Sequence, residues 1–381
     1  MKKNVPFLLV LAVAAALTGC SGKDENTAPA VGATEAAVTA ETEAAQTEAA
    51  ETEATETEAA ETESAETEAA DSEAADSEAA ADSDILVRVG SLKGPTSMGL
   101  VHLMDLDEQG MSEGNYEFTM VTAADELLAK VAAKELDIAL VPANVASVLY
   151  NKTKGGISVI DINTLGVLDI VASDDSIQSV ADLKGKTIYL TGKGTSPDYV
   201  INYLLSANGL TADDVKLEFK SEATEVAAVL KEQPDAIGLL PQPFVTAACA
   251  QNENLKIVLD LTKEWQAVQG ESGSQLVTGV TIVRNEFLAE YQPAVAEFLT
   301  EHEASAAFAN ENPDEASELI AALGIIEKAP IAKKALPYCN ITCLTGEEMQ
   351  TALSGYLQVL FDQNPQSVGG ALPEEGFYYI P

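Results

Sequence analysis

Two short loops carry the residues best suited to holding a small ligand. Gly94-Pro95-Thr96-Ser97 follows an apolar run and precedes a helical pattern, and Gly194-Thr195-Ser196-Pro197 does the same further along. A hydroxyl at Thr96 or Ser97, or at Thr195 or Ser196, can cap the helix that follows, and Pro197 suits a first helical turn. The same places allow a second chemistry. Main-chain N–H groups left uncapped at the positive end of a helix can hold an anion or a carbonyl oxygen, and Gly94 and Gly194 let such a ligand approach the backbone. One such loop reads as plain capping. Two at matching places favour binding, with Gly94, Pro95, Thr96, Ser97, Gly194, Thr195 and Ser196 as contacts.

Other polar side chains fall at comparable places. Asn144 follows Val141-Pro142-Ala143, and Gln242 follows Leu240-Pro241, so each sets an amide with donor and acceptor at the expected rim of a cleft. A local turn or cap role is the alternative for both. Thr164-Leu165-Gly166 and Thr278-Gly279 stand where the chain is expected to cross between two lobes, which makes Leu165 and Thr278 candidates for hinge or backbone contacts. Trp265, the sole Trp, lies in the polar stretch "TKEWQAVQGESGSQ", read as a loop. Stacking on a ligand, core packing and a structural place at the cleft edge all fit it.

Catalytic and metal-binding patterns are missing from the sequence. His102 and His302 are isolated, and no H-E-x-x-H, G-x-S-x-G, Walker or G-x-G-x-x-G pattern follows a suitable strand. Cys339 and Cys343, in "CNITC", lack the second ligand pair of a zinc site, and Cys249 stands apart. A small Cys339–Cys343 disulfide and buried thiols both remain open in an exported chain. The expectation is a binding protein, not an enzyme, with no cofactor and no metal.

Strand-like and helical patterns alternate around these residues. Strands are expected at 85–92, 116–121, 136–142 and 157–163, with helices at 97–108, 124–135 and 144–152 between them. A second set has strands at 186–192, 215–220, 235–241 and 255–261 and helices at 196–209, 222–233 and 243–252. From 277 to 361 the pattern becomes amphipathic helices, expected to cover the first sheet. Crossover-length helices between strands imply parallel pairing with helices on both faces. The order strand, Gly/Thr/Ser loop, helix, strand, helix, strand recurs, so two α/β lobes should face each other across a cleft at the carboxyl ends of their strands.

The N-terminus is different material. Lys2 and Lys3 precede the apolar run 5–17, too short for a confident membrane span, and Leu17-Thr18-Gly19-Cys20 resembles a bacterial lipobox, which implies cleavage before Cys20 and a lipid on its sulfur. Residues 20–83 read as an acidic linker. Its repeat, close to T-E-A-A-E, has no aromatic residue, and 21–83 hold 19 acidic residues against Lys23 alone. Such a segment cannot bury enough apolar surface to offset the entropy of ordering. Partial helix, or weak binding of cations or cell-wall material, is the alternative. Of the formal charge of −40, −24 falls on 84–381, which argues against nucleic acid as a partner because phosphates would be repelled.

Taken together, "RVGSLKGPTSMGL", "DIALVPANVA", "VADLKGKTIYLTGKGTSPDYV" and "NPQSVGGALPEEGFYYIP" resemble the solute-binding lipoproteins of bacterial ABC importers, most of all the nitrate/sulfonate/taurine and thiamine-precursor (NMT1/THI5-like) group. The resemblance implies a two-lobed periplasmic-binding-protein-like (type 2) α/β fold, each lobe a mainly parallel sheet flanked by helices. Lobe 1 is expected at 84–168 plus 280–381 and lobe 2 at 169–279. It further implies a monomer on the outer face of the cytoplasmic membrane, lipid-anchored at Cys20, that closes on a small anionic or carbonyl-rich solute. The solute then passes to an ABC permease and ATPase. A ligand-sensing lipoprotein that signals to a membrane receptor is the second reading, and an enzyme like those of the menaquinone pathway on the same fold is the third. The cysteine-rich signature of the yeast thiamine-precursor synthase is absent.

Overall fold

The computed structural model describes residues 85–381, so the expected signal peptide 1–19, the lipidated Cys20 and the linker 20–83 lie outside the described residues. The chain begins with β1 (Leu86–Leu92), α1 (Pro95–Met98), α2 (Val101–Glu108), β2 (Asn115–Val121), α3 (Ala124–Ala132), β3 (Ile138–Pro142), α4 (Ala143–Thr153) and β4 (Ile157–Leu165). There follow β5 (Leu168–Ala172), β6 (Thr187–Leu190), α5 (Ser196–Ala207), β7 (Lys216–Phe219), α6 (Ala223–Glu232), β8 (Ile237–Pro241), α7 (Phe244–Gln251), β9 (Lys256–Asp260) and α8 (Leu261–Gln269). The last part holds β10 (Val277–Arg284), α9 (Asn285–Glu290), α10 (Gln292–Glu311), α11 (Pro313–Ala322), α12 (Ala329–Ala335), β11 (Ile341–Leu344) and α13 (Gly346–Gln363). Among the described residues no helix is long and apolar enough to cross a membrane.

Two sheets form, a six-stranded one in the order β11-β4-β10-β3-β1-β2 and a five-stranded one in the order β7-β6-β8-β5-β9. Both are mixed, where the sequence pattern predicts mainly parallel pairing. β1 runs parallel to β2 and β3, and β6 parallel to β7 and β8, as crossover helices require. β10 is antiparallel to β3 and β4, and β5 is antiparallel to β8 and β9. The cause is the route of the chain. β4 passes into β5 through Gly166 and Val167 with no helix between, so β5 enters the five-stranded sheet against the direction of its neighbours. β5, β10 and β11 lie where the sequence pattern places no strand.

The C-terminal helices do more than cover the first sheet. One buried cluster runs from Val141, Ala146 and Ile162 through Met349, Leu353, Tyr356 and Leu357 of α13 to Ile188, Val200, Leu204 and Trp265. α13 therefore packs against elements of both sheets. Its end is fixed by polar bonds as well: the Gln363 amide donates to Tyr199 O at 3.0 Å, and Asn364 donates to the Tyr199 hydroxyl at 2.9 Å. The expected single helix at 97–108 is broken into α1 and α2 around Gly99.

An ion-pair cluster ties three strands of the six-stranded sheet together. Asp137 is 1% exposed, and its carboxylate accepts from Arg88 Nε at 2.8 Å, Arg88 Nη2 at 2.7 Å and Arg284 Nη2 at 2.6 Å. Burial alone pushes this carboxyl up, but the hydrogen bonds from Arg88 and Arg284 outweigh it and hold the group below its ordinary value. Asp137→Asn should lower the unfolding free energy by about 2 kcal/mol at neutral pH, as measured by urea titration. A depressed carboxyl stabilises the fold above the unfolded-state value, so the gap between variant and wild type should close as the pH falls below about 4.

Candidate functional site

The first loop is built by the end of β1. After Lys93 the chain turns at Gly94 into α1, with Pro95 in its first turn. Thr96 and Ser97 are buried inside that turn and do not cap it. Their hydroxyls turn back: Thr96 Oγ1 donates to Leu92 O at 3.2 Å, and Ser97 bonds to Leu92 O and, at 2.8 Å, to Ser91 Oγ. The capping expected of these hydroxyls is thus corrected. A carbonyl of the preceding strand lies closer to hand than the N–H groups ahead.

The second loop repeats the arrangement at the end of β6. Thr195 is the N-cap residue of α5, yet its hydroxyl makes no capping bond and donates to Gly192 O at 2.6 Å. Asp198 reaches back from the first turn to accept from Gly194 N at 2.8 Å. Gly194 has φ of 73°, in the left-handed region where a side chain is strained. A Cβ built at Gly94 or at Gly194 meets no atom within 4 Å, so open space adjoins the backbone in both loops. Burial pushes the Tyr356 phenol up to about 12, and the Ser196 hydroxyl pulls it part of the way back. Neither α1 nor α5 has a side-chain cap at its start.

Around the first loop the structure gathers several candidates. Gly279 of β10 stands beside Pro142 of β3 and Thr164 of β4, and a Cβ on Gly279 would lie 2.5 Å from both Thr96 Cγ2 and Asn163 Oδ1. Only glycine allows Thr96 so near the sheet. Leu165 pairs with Val277, so Leu165 and Thr278 border the same end of the sheet. Leu165 does adjoin the crossing to β5, whereas Thr278 is inside β10, because the return crossing ends before Val277. Asn144 is half-buried in α4 and points to the C-terminal tail, donating to Ser367 O at 3.4 Å. Among the described residues no hydrogen bond joins 94–97 to 194–196.

One expectation is overturned, and of the readings left open for Trp265 core packing is the one the structure selects. Gln242 is 1% exposed and not at a rim: its Nε2 donates to Asp169 Oδ2 at 3.1 Å, and its Oε1 accepts from Thr246 Oγ1 at 2.8 Å. β5, which the sequence pattern does not place, brings Asp169 there and consumes the amide. Trp265 lies in α8 and is fully buried between Tyr203 and Tyr356, at ring-centroid distances of 4.8 and 5.7 Å. It packs the core and cannot stack on a solute from there. Cys249, Cys339 and Cys343 are all free thiols.

Asn163 is the residue beside the loop that sequence reasoning passes over. It is buried in β4, accepts from Thr164 Oγ1 at 2.9 Å and donates to Thr281 Oγ1 at 3.2 Å. A polar amide inside an apolar strand was the available signal.

Comparison with known proteins agrees with this architecture. Residues 154–316 match the family described as NMT1/THI5 like. A Brucella abortus protein whose name calls it a binding protein is 27% identical over 201 residues, which are 53% of this chain and 59% of that protein. The match thus spans less than two thirds of the length of these curated relatives. Among solved structures, an ABC transporter protein from Parabacteroides distasonis superposes with a TM-score of 0.65 at 23% identity, over 78% of this chain and 99% of that one. The periplasmic aliphatic sulphonate binding protein SsuA of Escherichia coli gives 0.60 at 16% identity, over 76% and 92%. The chain is therefore similar to the NMT1/THI5-like family over residues 154–316, and it has an α/β periplasmic-binding-protein fold of two mixed sheets flanked by helices.

Proposed function

We propose that the protein is the extracytoplasmic solute-binding component of an ABC importer, held to the outer face of the membrane by a lipid on Cys20. Two lobes close on a small solute, one built on the six-stranded sheet and one on the five-stranded sheet. Their boundary is drawn at Val277, where β10 begins, instead of at 280. The observation that carries this reading is the pair of loops at the ends of β1 and β6. In each, the threonine hydroxyl is spent on a carbonyl behind it, the first helical turn has no side-chain cap, and a glycine leaves open space. Backbone N–H groups so presented suit a sulfonate, a carboxylate or a carbonyl-rich heterocycle. The likeness to a sulphonate-binding protein supports the first of these. A solute touching both lobes favours their closed arrangement by its differential affinity, and closure marks the loaded state for a permease.

A thermal-shift screen of the full chain against alkanesulfonates, carboxylates and nitrogen heterocycles tests the proposal. One class should raise the melting temperature, since a ligand at about 100 times its Kd adds about 2.7 kcal/mol to stability. If no class shifts it, and native mass spectrometry of the protein from its host finds no bound small molecule, solute capture is refuted.

A further inference from the structure

Three side chains of different chemistry converge between the six-stranded sheet and α10. Asp161 comes from β4, Cys343 from β11 beside it and His302 from α10, and their ligand atoms all lie within 4.8 Å of one another. Asp161 and His302 are fully buried, and Cys343 is partly so. We propose that Asp161, His302 and Cys343 hold a divalent transition-metal cation, for which zinc is the best fit.

The donor set is one nitrogen, one oxygen and one sulfur, which zinc accepts together. Zinc bonds of about 2.0–2.3 Å place tetrahedral donors roughly 3.5 Å apart, so the site tightens by about 1 Å on binding. Charge supports the assignment. Among the described residues no Lys or Arg pairs with Asp161, whose Oδ1 accepts from Thr281 Oγ1 at 2.9 Å and whose Oδ2 lies 3.2 Å from His302 Nδ1. A dication with one carboxylate, one thiolate and a neutral imidazole sums to zero, the balance a buried site needs. β11 is the edge strand of its sheet, and Cys343 keeps some exposure, which gives the ion a way in. The sequence hides this site because its donors come from three distant segments, and the near pair Cys339 and Cys343 is not the ligand pair. Bound metal fastens β11 and α10 to β4, the strand that leads through Asn163 to the crossing at Leu165.

The competing arrangement is a simple imidazolium–carboxylate pair with Cys343 as a bystander, and cobalt(II) separates the two. The tag-free full chain carrying Cys20→Ser, which removes the one thiol of the acidic segment, is titrated with cobalt(II) and then zinc. About one equivalent of cobalt should bind with a thiolate-to-metal charge-transfer band, and zinc should displace it. Cys343→Ser should abolish the band and weaken zinc binding by about 100-fold, while Cys339→Ser should retain both. Absence of the band in the folded chain, or its survival in Cys343→Ser, overturns the proposal. Should Cys343→Ser fail to fold, alkylation of the unmutated Cys343 decides. Zinc should slow its modification by about tenfold, read by peptide mass spectrometry, and an unchanged rate refutes the site.

Discussion

Asp169→Asn should make the protein more stable at pH 8 and leave it nearly unchanged at pH 4. Asp169 lies in β5, 5% exposed, and burial raises its carboxyl to about 7, with the nearby Asp260 adding to the shift. The Gln242 amide and Lys263 pull the other way and do not compensate. Asp260 faces it directly across the β5–β9 pair, while it caps α8 and bonds with Lys263 at 2.9 Å. The thiols of Cys249 and Cys339 feel the same carboxylate.

The sign follows from proton counting. Between about pH 4 and pH 7 the folded chain keeps the Asp169 proton and the unfolded chain releases it, so stability falls as the pH rises. The full cost approaches about 4 kcal/mol above pH 7, taking roughly 1.4 kcal/mol for each pK unit. Asparagine resembles the protonated acid in shape and can still accept from Gln242, so it should recover much of that loss. Denaturant titrations of both proteins at the two pH values check this. An equal difference at pH 4 and pH 8 would mean that Asp169 is ionised in the fold throughout.

Trp265→Ala should destabilise the protein by about 3–5 kcal/mol, the range for removing a large aromatic side chain from a core. Its indole is wholly buried, its Nε1 donates to Ser274 Oγ at 3.3 Å, and Tyr203 of α5 and Tyr356 of α13 pack against it. The cavity would open where α8, α5 and α13 meet, and α13 is the helix that also touches the six-stranded sheet. The loss therefore falls on packing between the sheets as well as within one. Trp265→Phe should cost less, because an aromatic ring is kept and only the indole bond and some volume are lost. Urea unfolding monitored by circular dichroism measures both. A cost below about 1 kcal/mol for the alanine variant would contradict the buried placement of the indole.

Much of the order of elements and both glycine loops were legible in the sequence. Alternating apolar runs, helical periodicity and clustered Gly, Pro, Thr and Ser are set by neighbours a few residues apart, where backbone preference acts. Thus β1 and β6 each end in a glycine loop that leads into a helix, as the pattern predicts. The partners of those residues were not legible. Thr96 could not be known to cap nothing until Leu92 O was found to take its hydroxyl, nor Gln242 to be buried until β5 brought Asp169 beside it. Strand direction in β5 and β10 depends on how the chain crosses between the sheets, a global property that no local run encodes. Trp265 sits among polar residues in sequence and among aromatic ones in space, because α8, α5 and α13 meet only after folding. The sequence by itself determined most of the strands and helices, though not β5, β10, β11 or α8, and where the glycine loops stand. Tertiary structure alone decided which polar groups are spent on one another, because burial and pairing are set by contacts between residues far apart in the chain.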